Sequence, residues 1–480
     1  MRLRRTALAA ALVLASGLAG SATAGPAGVP AGAGGRATSN VHFLYNQPYG
    51  TGTGGAFLGT TYFATAAATE WFGGPVYTQA VTGGMFAFDA SNPEKPLMVG
   101  ALPIPHHENE DLQVSAKRKL AIISQQPYRA NPEDNTSAYL PGREFLVDVS
   151  VPSAMRLVST IDLPATVGKV ATTGKTLGGP GHTTTLVGND SYLWVSGARN
   201  GAVYVVDIRD AAHPKNLGYI ASPAGASYGV FTPGVVHDVD VDQFGDVWLT
   251  GSGGTAMYSL TKNPLKPTLI AAVSPKDNAK AQQFIHHGSQ RLDRNTVLVT
   301  EEDYQGNCNA ADHQDGSLQS WRIDRAHKRL VEIGSWDAPT GGDASTSPVA
   351  ELGSLCSSHW FTLNGAKVVA DAWYSAGVRF LDVSNPAKPR PIGMWAGDGT
   401  IASQARFVPG RPDLVYVADY MRGLDVIKID RAGRGARTTS PSDEKTVPGL
   451  TPLGKAKRPT ISFHAHEDLG WVCAVPTRLT

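Results

Sequence analysis

The sequence predicts an all-β chain, a seven-bladed β-propeller with four antiparallel strands per blade, closed by the N-terminal strand. Three observations carry this. A strand followed by a turn, most often proline-bearing, recurs seven times, with starts 46 to 62 residues apart. Between the copies lie further short runs that alternate apolar and polar residues, the period of strands rather than helices. Gly (53) and Pro (32) are frequent, as a turn-rich chain requires. Repeats of this length with four strands each read as blades, because one blade cannot bury both of its faces and a ring of blades can.

The chain opens MRLRRTALAAALVLASGLAGSATA, a basic start, an apolar stretch and the small-residue pattern Ala22-Thr23-Ala24. This predicts a secretory signal peptide over 1–24 and hence a secreted, extracellular protein. The apolar stretch is too short for a membrane span, and no later one is long enough. Residues 25–39 are small and read as a flexible linker, 40–432 as the propeller, and 433–480 as a basic linker and C-terminal tail. Lys plus Arg (42) balance Asp plus Glu (41), so no global field draws nucleic acid or an anionic membrane. A small-molecule substrate or an extracellular ligand is the expected partner, and a monomer the expected state.

The run NVHFLY (40–45) is a strand with no neighbour to pair with. The repeated strand then begins at Gly84, Arg143, Gly201, Gly254, Gly316, Gly377 and Gly423. Residues 236–273 show a whole unit, with HDVDVD, DVWLTG, GTAMYSL and PTLIAAV separated by turns. The seventh copy lacks a fourth strand, because Ile429 runs into RAGRGARTTSPSDEK. NVHFLY fits that gap and would remove the open edge. All the long connections (125–142, 164–181, 222–236, 274–285, 303–315 and 337–358) fall on one face, where binding and chemistry are expected. Of the three cysteines, Cys308 and Cys356 lie on that face in adjacent blades and are the preferred disulfide; Cys473 lies in the tail.

Aligning blades on the second strand (YLWVSG, DVWLTG, TVLVTE, KVVADA) puts His182, His237, His287 and His359 at one equivalent place, the start of the first strand. First strands line a propeller's central channel, so these imidazoles converge on one volume. They are the candidate metal ligands, with His107 as a further one; His286 is adjacent to His287 and competes for its role. Imidazoles from separate strands suit a transition ion, iron or copper ahead of zinc. The alternatives are hydrogen bonds that lock neighbouring blades, through Asp238, Asp240 or Thr184, and a metal-free polar site. Two acidic clusters share the mouth, residues 108–111 and 301–303. Glu110, Glu301 and Asp303 are the candidate acid–base groups. The acidic rim also offers oxygen ligands to Ca²⁺. No P-loop, Rossmann glycine pattern, nucleophile elbow or HExxH occurs, so a nucleotide cofactor is not expected.

The cores FLVDVS, VYVVDIRD, FLDVSNPAKP and LDVIKID, with HENEDL, GHTTT, HDVDVD, FIHHGS and VTEEDY, resemble those of LVIVD-repeat proteins, a bacterial propeller family, over residues 40–430. The resemblance implies the fold and an exported location, and little chemistry. In number and placement only, the four histidines are similar to those of two propeller enzyme families. Carotenoid-cleavage-type oxygenases hold iron with four histidines, and selenium-binding-protein-type methanethiol oxidases use a histidine-lined copper site. The leading expectation is therefore a metal-dependent oxidase or oxygenase acting on a small molecule. A non-catalytic binding or scaffold propeller for protein, peptide or glycan is the alternative. A hydrolase using carboxylates at the channel mouth is the third.

Overall fold

The computed structural model describes residues 35–67, 83–104, 111–127, 140–172, 174–229, 231–274, 276–278, 284–303, 316–338, 356–365 and 367–430, with the backbone of 445–446, 461–466 and 471–476. The described chain is all-β, with two single-turn 3₁₀ segments and a three-residue helical stretch at 276–278. Its strands form seven four-stranded antiparallel units in chain order. The inner strands of sheets 1 to 7 are Thr51–Leu58, Leu112–Ser115, Thr184–Val187, Val236–Val241, Ile285–Asp293, Phe361–Leu363 and Ala402–Val408. A single parallel pair, Ala272 with Arg329, links sheets 4 and 5.

The seventh sheet takes its outer strand from the start of the chain. Val41–Gln47 pairs antiparallel with Gly423–Ile429, in the gap that the sequence leaves there. Asn46 fixes the register by donating to the carbonyl of Arg422 (2.9 Å) and to Oδ1 of Asp425 (2.8 Å). The inner strands touch their neighbours in a closed circuit, sheet 7 meeting sheet 1.

Strand alternation explains why the sheets stack. Successive side chains point to opposite faces, and here each face meets a different neighbour. Leu193 and Val195 pack against Leu120, Ile122 and Leu146 of sheet 2. Trp194, between them, packs against Val236, Val247 and Leu249 of sheet 4. Trp248 in turn faces Val297, Val299 and Trp321 of sheet 5. Each fully buried apolar side chain contributes about 1.5–3 kcal/mol. Outer strands such as Arg156–Asp162 and Lys215–Ala221 are largely exposed, including Leu157, Leu217 and Tyr219.

Toward its ends the chain departs from the sequence expectation. Residues 35–39 are not free linker: Gly35–Ala37 adds a strand beside Arg390–Gly397, and Thr38 Oγ1 accepts from the backbone N–H of Met394. Lys445–Thr446 extends that sheet, and Ile461–His466 pairs with Trp471–Pro476 in a hairpin. The expected signal peptide lies outside the described residues. Cys356 is disulfide-bonded, and its expected partner Cys308 also lies outside them. No helix among the described residues is long and apolar enough to cross a membrane.

Candidate metal centre

Four of the seven inner strands begin irregularly, two of them at a histidine. Register shifts occur between Val236 and Asp238 and between His286 and Ser289, so His237 and His287 sit at bulges. Bulges re-aim a side chain that regular pleating would place elsewhere. Equivalent shifts fall at Thr53 and Ser403 in sheets 1 and 7. The carbonyl freed at each bulge is capped by the preceding sheet. Ser196 Oγ donates to the His237 carbonyl (2.6 Å), Thr250 Oγ1 to that of His287, and Ser403 Oγ to that of Thr53 (2.5 Å). Inter-sheet locking therefore uses Ser and Thr hydroxyls at three bulges and a histidine at the fourth, where His359 Nδ1 reaches the Ser403 carbonyl.

The four aligned histidines stand in one buried file. Ring centroids are 4.6 Å apart for His182 and His237, 4.2 Å for His237 and His287, and 4.2 Å for His287 and His359. His182 approaches this closely because residue 197 is glycine: a Cβ there would lie 2.6 Å from Cβ of His182. The Nε2 atoms of His182 and His237 are 3.3 Å apart. His182 Nδ1 donates to Oε1 of Gln126 (3.2 Å), and His359 Nδ1 donates to the carbonyl of Ser403 (2.6 Å). In a neutral imidazole this leaves Nε2 as the lone-pair nitrogen. That nitrogen faces inward in both.

The residue at the centre of the file is Glu302, which did not stand out among the acidic candidates. Its carboxylate lies 3.7 Å from Nε2 of His237, 3.8 Å from Nε2 of His287 and 3.8 Å from Nε2 of His359. All four side chains are fully buried or nearly so. Tyr374 donates its hydroxyl to Oε1 of Glu302, and its ring lies 4.3 Å from that of His359. Distances of 3.7–3.8 Å exceed a hydrogen bond. They match the spacing of ligands around one ion: bonds of about 2.1 Å separate ligand atoms by roughly 3.0–4.2 Å. His237, His287 and Glu302 each offer a ligand atom within 4.8 Å of the others. The donor set is imidazole and carboxylate, which suits iron, manganese or zinc.

The other candidates fall elsewhere. Glu301 stands outside the histidine group: its Oε1 accepts from the Phe284 N–H (3.1 Å), and its Oε2 accepts from Ser317 (3.2 Å) and Gln319 (3.1 Å). Adjacent strand residues face opposite ways, so Glu301 and Glu302 have different surroundings. Asp303 is buried where the strand ends, and its backbone N–H donates to Oγ of Ser357 (2.8 Å). His286 does not exchange roles with His287. Its Nδ1 is 2.8 Å from the Thr255 hydroxyl, its ring packs near Trp321, and burial pushes its pKa down to about 3. His107 and Glu110 lie outside the described residues, so the acidic rim proposed for Ca²⁺ is covered only in part. Asp238 and Asp240, weighed as partners of the histidines, instead line a cavity further along the axis.

No family model matches the sequence, and no curated protein does. Some solved structures are similar at low identity. A periplasmic gluconolactonase of Pseudomonas aeruginosa is 12% identical and matches with a TM-score of 0.50, over 72% of this chain and 86% of that one. The WD40 repeats of RRP9 are 9% identical with a TM-score of 0.47, over 82% of this chain and 99% of that one. At such identities the first likeness shows a propeller-like all-β fold and nothing about chemistry. Fold and site together define an all-β, propeller-like protein with a buried cluster of histidines around one carboxylate.

Proposed function

We propose that the seven four-stranded units are the blades of a seven-bladed propeller of the LVIVD-repeat kind. Its axis holds one first-row transition ion, iron foremost, for the oxidation of a small molecule. One observation carries the reading: three imidazole Nε2 atoms from three different sheets stand 3.7–3.8 Å from the same buried carboxylate, Glu302. His237, His287 and Glu302 would be ligands, with His359 and His182 completing or flanking the set. Gln126 and the Ser403 carbonyl fix the tautomers of His182 and His359. When bound, such an ion supplies redox or Lewis-acid chemistry.

Metal analysis of the purified protein tests this. About one equivalent of iron, lost in His237→Ala and in Glu302→Gln, is the expected result. Zinc in that place would exchange oxidation for metal-assisted hydrolysis. Protein that stays empty after incubation with each of these ions overturns the centre and leaves the binding-module alternative.

A further inference from the structure

Past the histidines, the inner strands line a half-open cavity of about 520 Å³ toward the tight-turn face. The sequence pointed to the opposite, long-loop face. Trp360 stands between the two regions, its ring 4.6 Å from that of His287. Asp111, Asp238 and Asp240 line the cavity, with Arg406 as the one cationic group among its lining residues.

The carboxylates are crowded by like charge. On top of burial, Asp111 adds to the upward shift of Asp240. Asp111 accepts from Gln113 (2.9 Å) and the Thr184 N–H (3.3 Å), and Asp240 from the Val241 N–H (2.7 Å). An independent feature points to an occupant. Ser289 lines the same cavity, is only 4% exposed, and its Oγ has no hydrogen-bond partner among the described residues. Buried hydroxyls are ordinarily satisfied. Carboxylates and hydroxyl oxygens are acceptors, and an ammonium group is a donor only. Aromatic walls at Trp360, Phe57 and Phe407 suit the hydrocarbon part of such a ligand and its charge. The volume fits a small molecule.

From these features we propose that the axial cavity is a binding site for a small organic ammonium ion, held by Asp111, Asp238 and Asp240 with Ser289 accepting a further hydrogen bond. The proposal is independent of the metal centre.

Calorimetric titration of the full chain at about pH 8, where Asp240 is largely ionised, with 1,4-butanediammonium and with 1,4-butanediol as its uncharged counterpart tests it. The diammonium binds one per chain, and the diol at least about tenfold more weakly. Asp240→Asn weakens the diammonium by about tenfold, whereas Arg406→Gln tightens it, a gain that misfolding cannot produce. EDTA treatment leaves the affinity unchanged. Equal binding of diol and diammonium, absence of diammonium binding, weaker binding in Arg406→Gln, or loss of binding after EDTA each overturns the site.

Discussion

Tyr374 donates its hydroxyl to Glu302 from a backbone turned to φ +42°, a region that bulky L-residues rarely adopt. Such a conformation costs on the order of 1–3 kcal/mol and persists where the surroundings over-determine it. Here they do. Tyr374 N–H donates to the Ala402 carbonyl (3.1 Å), and Ala402 N–H returns the bond (2.9 Å). The strained turn thus ties sheets 6 and 7 together and presents a hydroxyl to the carboxylate at the centre of the histidine file.

If that hydroxyl orients Glu302 as a ligand, Tyr374→Phe keeps the turn and the ring but releases the carboxylate. Metal affinity should fall about 10–100-fold, as for other groups that orient ligands. The metal-free protein should lose about 1–3 kcal/mol of stability, because a buried carboxylate loses a donor. Competition against a chromophoric chelator reads the affinity, and an unchanged value would show that Glu302 is positioned without Tyr374.

Glu301 and Glu302 are neighbours with separate tasks. Glu302→Gln should remove most bound metal. Glu301→Gln should retain it and instead lose about 1–3 kcal/mol of stability, because its carboxylate satisfies a buried amide and two side-chain donors. Metal content and denaturant melts of both variants separate the two roles. Metal loss in Glu301→Gln alone would reverse the assignment.

The architecture was legible because period-2 alternation and recurring turns are local signals, and four of the inner strands carry a histidine at the same offset. The missing fourth strand of sheet 7 could be read as well, since an open edge demands a partner. Glu302 was hidden by parity. In TVLVTEED three consecutive acidic residues follow the strand's apolar run, and which one turns inward depends on the bulge at 286–289 in the neighbouring strand. A bulge leaves no fixed mark in sequence. The cavity was hidden for another reason. Asp111, Asp238, Asp240 and Ser289 belong to three different sheets and meet only when the ring closes.

The stacking of sheets predicts a contrast between two leucines. Leu193 is fully buried between sheets 2 and 3, whereas Leu217 on an outer strand is 39% exposed. Leu193→Ala should cost about 2–5 kcal/mol and Leu217→Ala about 0.5 kcal/mol or less. Urea unfolding measures both, and similar losses would contradict the inter-sheet core.

Asp240 gives the chain a pH dependence whose sign is fixed by its surroundings. Burial, then Asp111 and Asp242, raise its pKa from 3.8 to about 7, against the Val241 N–H and Arg406, which lower it. The folded state therefore holds this proton more tightly than the unfolded chain. Its contribution to stability is fully present below pH 3.8, declines as pH rises, and is lost above about pH 7. Asp240→Asn cannot titrate, so the stability of the parent relative to this variant should fall between about pH 4.5 and pH 8. Burial also raises the pKa values of Asp238 and Asp419, the latter to about 6. Asp419 is present in both proteins, so the comparison cancels most of its effect. Asp238 is relieved of a like charge in the variant, which makes the change steeper. Urea unfolding of parent and variant across that range reads the difference. A flat profile, or one that rises with pH, would mean that Asp240 is ionised in the folded protein and compensated within the cavity.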